Sequence, residues 1–259
     1  MNAKSISVLK GSALPVLLVA AWVAATWHRE SLLFPAPWKS VQAVAELWQT
    51  NALQGYLLTS LRRYFLGLLL GTSLGLVAGM AIGTSRWLER FFLPNFHMFR
   101  QVPLVGWIPL LIIWFGTGDL SRVVLIAMGA FFPILLNTHA GFRQVPKGYL
   151  EVADVFGLSR WARLRRVVIP AALPWIRTGT ILSLTFGWTV LVASELLTQA
   201  NGGLSDILDV GRERFRMELV NAGIVVLGLL GFLFNDVATR LWSIGPLRWL
   251  SLNIHNPGK

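Results

Sequence analysis

The chain has 259 residues, of which 54% are hydrophobic and only 14% are charged, and it contains no cysteine. Soluble domains are about 45–50% apolar and about 25% charged, so this composition argues against a water-soluble enzyme. The missing cysteines exclude disulfides, thiolate metal sites and a thiol nucleophile. In a chain this apolar, the formal net charge of +11 favours basic cytoplasmic loops over nucleic-acid binding. The sequence therefore predicts an all-α polytopic membrane protein without a nucleic-acid partner.

Six segments are apolar enough to be considered as membrane spans. A spanning helix needs about 17–25 mostly apolar residues, because the hydrocarbon core is about 30 Å thick. We interpret the first segment as an uncleaved helix rather than a signal peptide, since no small-residue cleavage site follows it. The third is short, and we expect it to begin near Phe96 and to be kinked by its prolines. The six segments are Gly11–Trp27, Tyr64–Thr84, Val102–Phe115, Val123–Thr138, Thr178–Leu197 and Leu219–Phe234.

A different kind of helix is predicted over residues 37–48, between the first two spans. Val41, Val44, Ala45 and Trp48 recur there at helical spacing. This pattern is typical of an amphipathic helix that lies in the lipid interface, which makes membrane lipid a predicted partner. The polar residues interspersed among them are Lys39, Gln42 and Glu46.

Glycine recurs at every fourth position of the second span. A spacing of four places these residues on one face of a helix, where the missing side chains let another helix approach closely in lipid. We therefore expect this face to pack against a second helix. The glycines are Gly67, Gly71, Gly75, Gly79 and Gly83.

The distribution of Lys and Arg predicts the orientation in the membrane. If both termini are inside, the inner segments 1–10, 85–101, 139–177 and 236–259 hold 15 of the 23 basic residues, and the outer segments hold eight. Basic residues accumulate in cytoplasmic loops. We therefore expect a multi-pass protein with both termini in the cytoplasm.

Motifs for catalysis by the chain itself are missing. It has no G-x-x-x-x-G-K-[ST] loop for ATP phosphates and no G-x-S-x-G elbow. Its four histidines, His28, His97, His139 and His255, do not have metal-ligand spacing. Among ionisable residues only Glu195 falls within a span, which is too few for typical ion coupling. We therefore expect a non-enzyme without cofactor or metal that draws energy from elsewhere; the alternative is a secondary carrier or channel that works without an ATPase.

The inner loop at residues 143–170 predicts a helix–turn–helix. Pro146 suits the start of a first helix, Gly157 can end it in the left-handed conformation, and Ser159 can cap a second. A loop that served only for orientation and contact with lipid headgroups would need no apolar stripes, so we favour a protein partner. The stripes are Leu150, Ala153 and Phe156 on the first helix and Trp161, Leu164 and Val168 on the second, beside the basic Arg160, Arg163, Arg165 and Arg166.

This loop resembles the cytoplasmic signature E-A-A-x-x-x-G-x9-I-x-L-P of permease subunits of ABC importers. Here the signature is Glu151-Val-Ala153, then Gly157, then Val167-Val-Ile169-Pro170. Further stretches look like the nitrate/sulfonate/taurine branch, and the last two of them look most like aliphatic-sulfonate permeases. They are Ser60–Gly67, Ile108–Gly118, Val192–Glu195, Ser85–Arg90 and Phe131–Thr138.

The resemblance implies a type I ABC importer permease-like fold, formed as a single transmembrane domain over residues 1–259, and a place in the bacterial inner membrane. It implies a homodimer with a second permease copy, two ATP-binding cassette subunits that bind the ATP, and an extracytoplasmic solute-binding protein. The solute would be a small anion of the aliphatic sulfonate, taurine or nitrate class. A coupling helix in the loop would dock on the ATPase, through the set Glu151, Ala153, Asp154, Gly157, Leu158, Ser159 and Arg160.

Four residues are candidates for the solute path or its gate. Pro103, Trp107 and Pro109 belong to the third span, and broken helices offer free backbone groups to solutes. Glu195 is either a gate or helix-anchoring contact at the outer mouth, or an interfacial carboxylate.

Two further charged groups lie in predicted outer regions. Arg62 and Arg63 either attract an anion or anchor their helix in headgroups. A mixed-charge stretch after the fifth span suits either contact with a solute-binding protein or plain solvation. That stretch contains Asp206, Asp209, Arg212, Glu213, Arg214 and Arg216.

Overall fold

The computed structural model describes residues 16–27, 33–198 and 202–244, and these ranges are mainly helical, which confirms the all-α class. Two short segments have other helical turns: a 3-10 helix over Leu104–Trp107 and a π-turn over Leu164–Val168. The α-helices are α1 (Val16–Trp27), α2 (Pro37–Gln49), α3 (Ala52–Thr84), α4 (Arg86–Gln101), α5 (Ile108–Phe115), α6 (Asp119–Arg143), α7 (Lys147–Val155), α8 (Arg160–Arg163), α9 (Ile169–Leu197), α10 (Asp206–Glu213) and α11 (Met217–Ile244).

Four of the described helices are long and apolar enough to cross a membrane, and a bent pair brings the number to five if it is counted as one span. The predicted first span lies partly outside the described residues, and its described part, α1, is shorter than a full span. The count of six therefore stays a prediction. The four helices are Ala52–Thr84, Asp119–Arg143, Arg160–Leu197 and Met217–Trp242.

The spanning helices extend well beyond their apolar stretches. The second predicted span begins at Ala52 instead of Tyr64, so Arg62 and Arg63 lie within a continuous helix. The fifth begins at Ile169 instead of Thr178. A helix ends where its backbone hydrogen bonds end, and hydropathy reports only the part of it that suits the hydrocarbon core.

The third span differs most from its prediction. Residues 86–101, expected in an inner loop, form α4, whose start is capped by the Ser85 hydroxyl accepting from the Leu88 N–H at 3.4 Å. The following apolar helix meets α4 at an angle of 90°. Pro103 and Pro109 do not kink one helix: Pro103 precedes the 3-10 helix, and Pro109 occupies the first turn of α5, where its missing N–H costs nothing.

The glycine face of α3 packs against α6, as predicted. A methyl group added at Gly75 would lie 2.5 Å from Cγ2 of Ile134 and 2.6 Å from the carbonyl oxygen of Phe131. All five glycines have neighbours on α6 closer than 3.0 Å to such a methyl group. Only glycine permits this backbone approach. The α6 neighbours, in order along the five glycines, are Ile126, Ala127, Ile134, Leu135 and Phe142.

The described chain separates into two compact units, the second of which comprises Ser60–Ala200 and Leu229–Lys259 as far as described. Its core lies between α6 and α9, where Ile134 and Phe142 meet Ala172 and Ile176. The buried Ser183 hydroxyl donates to the Ala130 carbonyl at 2.6 Å. The part of this core around Phe142 and Ala172 lies at the end of the bundle from which α7 and α8 project.

The first unit comprises Met1–Thr59 and Asn201–Gly228 as far as described. Its helix α2 forms at the predicted position, turns Ser40 and Ala43 inward and leaves Trp48 56% exposed. Arg216, which precedes α11, is ion-paired to Glu46 of α2 at 2.8 Å. This hydrogen bond and the positive charge hold the pKa of Glu46 below its usual value.

Candidate functional sites: the coupling loop and the buried charge cluster

The first helix of the predicted coupling loop ends at a glycine, as expected. After α7, Gly157 adopts φ +63°. The Leu158 N–H donates to the Ala153 carbonyl and the Gly157 N–H to the Asp154 carbonyl, both at 3.0 Å. This pattern satisfies carbonyls that the end of a helix leaves free. The turn direction of the loop is thus fixed by one residue in the left-handed conformation.

The second helix begins at its predicted cap. The Ser159 hydroxyl accepts from the Ala162 N–H at 3.3 Å. The Arg163 guanidinium donates to the Asp154 carboxylate at 2.7 Å, which ties the second helix back to the first. The chain continues through the π-turn into α9, so the loop is anchored directly to a spanning helix.

The predicted apolar stripes, which favoured a protein partner, are only partly accessible to one. Phe156 is 77% exposed and Trp161 is 67% exposed, so both are available for contact with a partner. Leu164 and Val168 instead pack on the core of the second unit. Ala153, expected to face a partner, is only 2% exposed and is covered by the chain itself.

The outward side of the loop carries a different apolar surface, which we call the loop tip. Clusters of exposed apolar residues are typical of protein contact sites. Within α7 the tip residues also recur at helical spacing, so the sequence did contain this second stripe. The tip comprises Tyr149, Val152, Val155, Phe156 and Trp161, which are 44%, 55%, 86%, 77% and 67% exposed.

The remaining residues predicted for docking surround the tip. Glu151, Asp154, Gly157, Ser159 and Arg160 are exposed, which suits contact with a partner. Leu158 is half-buried. Their part in docking stays a prediction, whereas the position of Ala153 suits a structural role under the tip.

Glu195 lies in a buried ion-pair site. It is 0% exposed, and its Oε1 accepts from the Ser60 hydroxyl at 2.7 Å and from Arg63 Nη1 at 3.0 Å. Arg63, which is 3% exposed, also contacts Asp119 Oδ1 at 2.7 Å. Glu195 is therefore a helix-anchoring contact, and the prediction that Arg63 faces an anion or headgroups is wrong.

Further charges complete what we call the buried charge cluster, which joins α3, α6 and the end of α9. Arg122 is 5% exposed and donates to the Thr198 hydroxyl at 2.9 Å. The more exposed Arg62 pairs with Asp119. Such a network holds helices together, because each charge loses its compensation when a partner is removed. The cluster contains Ser60, Arg62, Arg63, Asp119, Arg122, Glu195 and Thr198.

A cavity of about 380 Å³ lies beside the break between α4 and α5. Of the predicted path residues only Pro103 lines it; Trp107, Pro109 and Glu195 do not. The sequence interpretation missed two polar residues of its wall, Arg100 and Asn137. Pro133, also in the wall and within α6, has no N–H to offer to the Gly129 carbonyl, and this proline was the available signal.

No group of three His, Asp or Glu side chains in the described ranges is arranged to hold a metal ion. The loop offers an apolar contact surface, and the cavity offers a guanidinium and an amide among apolar side chains.

Comparison with known proteins gives a consistent assignment. Residues 71–242 match the family described as binding-protein-dependent transport system inner membrane component. The chain is 36% identical to a Bacillus subtilis (strain 168) protein that carries the name of an aliphatic sulfonates transport permease protein, SsuC, over 93% of this chain and 87% of that one. It is 34% identical to the taurine transport system permease protein TauC of Escherichia coli (strain K12), over 86% and 82% of the two chains.

The fold has a close counterpart among solved structures. A chain of the inward-facing MetNI methionine ABC transporter superposes with a TM-score of 0.62 over 77% of this chain and 96% of that one, at 22% identity. This likeness confirms the type I importer permease fold. Together with the family match, it places this protein among multi-pass components of the inner membrane. The chain belongs to the family of binding-protein-dependent transport system inner membrane components, and it is a permease subunit of an ABC importer.

Proposed function

We propose that this permease couples to a separate ATP-binding cassette subunit through the loop tip. The observation that carries the proposal is the exposure of five large apolar side chains on a loop whose second helix continues into α9. A contact at the tip would be transmitted along α9, because the loop and the helix share a continuous backbone. The chain has no phosphate-binding loop of its own, so the ATP belongs to the partner.

The two most exposed residues of the tip provide the test. Val155→Asp and Phe156→Asp place a charge in the contact without disturbing the buried side of the loop. We expect membrane levels to stay normal, while ATPase co-purification and solute uptake fall at least about tenfold, as is typical for central interface residues. Arg166→Ala is the control, because Arg166 is exposed on the π-turn that follows α8 and is not part of the loop tip. Unchanged uptake with the ATPase still bound would show that the loop tip is not the contact.

The solute we propose is a small anion of the aliphatic sulfonate, taurine or nitrate class. The support is the similarity to relatives named for sulfonate and taurine transport, and Arg100 in the wall of the 380 Å³ cavity suits an anion. Competition for uptake among taurine, an alkanesulfonate and nitrate tests the class. A preference for a neutral or cationic solute would contradict it.

The other proposed partners follow from the family. We propose that the permease pairs with a second copy of itself and that an extracytoplasmic solute-binding protein contacts the α10 region. We also propose that both termini lie in the cytoplasm. The exposed apolar side of α2 suits the lipid interface. Reporter fusions at residues 150 and 210 test the orientation: the first should behave as cytoplasmic and the second as external. The opposite pattern would overturn this topology.

A further inference from the structure

A second cavity, of about 560 Å³, lies where the coupling loop joins the helix bundle. Its wall includes the ends of α3 and α6, at Thr84 and Arg143, and the start of the second loop helix, at Arg160 and Arg163. Three arginines thus line one cavity. No carboxylate is part of its described wall.

The charges around this cavity do not balance within the described part of the chain. Arg143 is paired with Glu89, and Arg163 with Asp154 at 2.7 Å, so these two carboxylates outside the wall hold two of the arginines in place. Arg160 makes no ion pair with any described residue. The group therefore has a surplus of one positive charge, which a single anionic group would neutralise.

The backbone beside the cavity is irregular. Leu164 and Val168, which open and close the π-turn, both belong to the wall, and the Ile169 N–H donates to the Leu164 carbonyl across this wider turn. Pro170 follows and has no N–H for the Arg166 carbonyl, which accounts for the loss of the ordinary helical pattern. Turns of this kind are frequent at functional sites.

The apolar part of the wall indicates what sort of anion would fit. Phe142, Val145 and Leu164 lie in the same wall as the arginines. The cavity lies at the ends of two helices that are long and apolar enough to span a membrane, and the ends of such helices meet the lipid headgroups. Guanidinium groups bind phosphate through paired, charge-assisted hydrogen bonds. A phosphate group with an apolar attachment satisfies both parts of this wall.

We propose that this cavity binds a phosphate-type anion. The headgroup of an anionic phospholipid and free inorganic phosphate share the required chemistry. The wall joins α3, α6 and the coupling loop, so a bound anion would hold the loop against the bundle. The site is separate from the loop tip, whose side chains do not line it.

The test uses the full chain with its co-purified partners in a neutral detergent, with binding of phosphatidylglycerol measured by native mass spectrometry. We expect Arg160→Gln and Thr84→Asp each to weaken binding about tenfold or more, the former by removing a charged donor and the latter by adding a repelling carboxylate. Arg166→Gln, which removes the same charge outside the wall, should bind as the unaltered protein does. Phosphatidylcholine should bind equally to all of them.

Millimolar inorganic phosphate distinguishes the two sources of the anion. If it displaces phosphatidylglycerol from the unaltered protein, free phosphate also occupies the site; if it does not, the site is specific for the lipid. If Arg160→Gln and Arg166→Gln weaken phosphatidylglycerol binding equally, the lipid responds to the overall positive charge and not to this cavity, which would overturn the proposal. Loss of the ATPase from Arg160→Gln with unchanged lipid binding would also overturn it, because the cavity would then belong to the ATPase contact.

Discussion

Arg63 Nη1 lies 3.0 Å from Glu195 Oε1 in an ion pair whose partners are 132 residues apart in the sequence and are both buried. The pair connects α3 to α9, and Ser60 and Asp119 complete its hydrogen bonds. A buried charge without a counter-charge is strongly unfavourable, so the loss of either residue of the pair leaves the other at a high cost in free energy. The ion pair thus holds α3 to the last turn of α9, and the Tyr64 hydroxyl, which donates to the Leu184 carbonyl at 2.9 Å, adds a second polar contact between the two helices.

Removing the carboxylate should destabilise the protein strongly. Glu195→Ala leaves Arg63 buried with only Asp119 as its counter-charge, and we expect a loss of about 3–5 kcal/mol in the free energy of unfolding. The thermal unfolding temperature of the purified protein measures this. Glu213→Ala, at an exposed carboxylate, should leave that temperature unchanged. An unaltered temperature for Glu195→Ala would show that the ion pair contributes no stability.

The close packing of α3 on α6 predicts that alanine destabilises the protein at Gly75 but not at Gly228, a glycine of α11 with open space beside it. Gly75→Ala forces a methyl group to within 2.5 Å of Ile134 Cγ2, so α3 and α6 must separate. At Gly228 nothing lies within 4 Å of an added methyl group, and Gly228→Ala should be neutral or slightly stabilising because alanine favours helix. Yield and thermal stability in detergent should fall for Gly75→Ala only. Equal stability of the two variants would contradict close approach of the helices.

The glycine face could be predicted from sequence because its signal is local. Residues four apart share a helix face whatever the helix packs against, so Gly71 and Gly75 identified a contact surface without identifying α6 as its partner. The pairing of Arg63 with Glu195 has no local signal. The pairing depends on how two helices distant in sequence come together, so the sequence led to separate predictions for Arg63 and for Glu195.

The inward side of α7 was ambiguous for a different reason. Leu150, Ala153 and Phe156 recur at helical spacing, and so do Tyr149, Val152 and Val155 on the same short segment. Periodicity finds both stripes but does not show which one the chain covers. Only the structure shows that Ala153 is buried and that Phe156 is exposed.

The ion pair between Glu46 and Arg216 predicts a pH dependence. Arg216 lowers the pKa of Glu46 in the folded protein below the ordinary value of 4.5. The pair therefore contributes stability above pH 4.5, and this contribution is lost as the pH falls through the folded-state pKa. Thermal unfolding between about pH 6 and pH 3 should show a decline that Glu46→Gln reduces.

The expected size of this effect is small, because the Glu46 side chain is 55% exposed and water screens the pair. Glu213→Gln provides the control, since it removes an exposed carboxylate in the same unit and should leave the decline as it is. If Glu46→Gln and the unaltered protein lose stability in parallel, the pair is not the cause of the decline.

Two helix ends with the same backbone pattern make a paired prediction. Gly157 after α7 has φ +63°, and Phe215 after α10 has φ +54°. The residue that follows each donates back to the carbonyl four positions before the left-handed residue: Leu158 to Ala153 at 3.0 Å, and Arg216 to Gly211 at 2.8 Å. Glycine tolerates this conformation, whereas a side chain strains it by about 1–2 kcal/mol.

We therefore expect Phe215→Gly to raise the thermal unfolding temperature and Gly157→Val to lower it. Nothing lies within 4 Å of a methyl group at position 157, so the cost of Gly157→Val is backbone strain rather than a clash. Strain at this turn should shift the second loop helix relative to the first, and the tip residues Phe156 and Trp161 would no longer present one surface. ATPase co-purification should fall for Gly157→Val and not for Phe215→Gly, while membrane levels of both stay near normal. A Gly157→Val variant that retains full ATPase binding would show that the left-handed turn is not required for coupling.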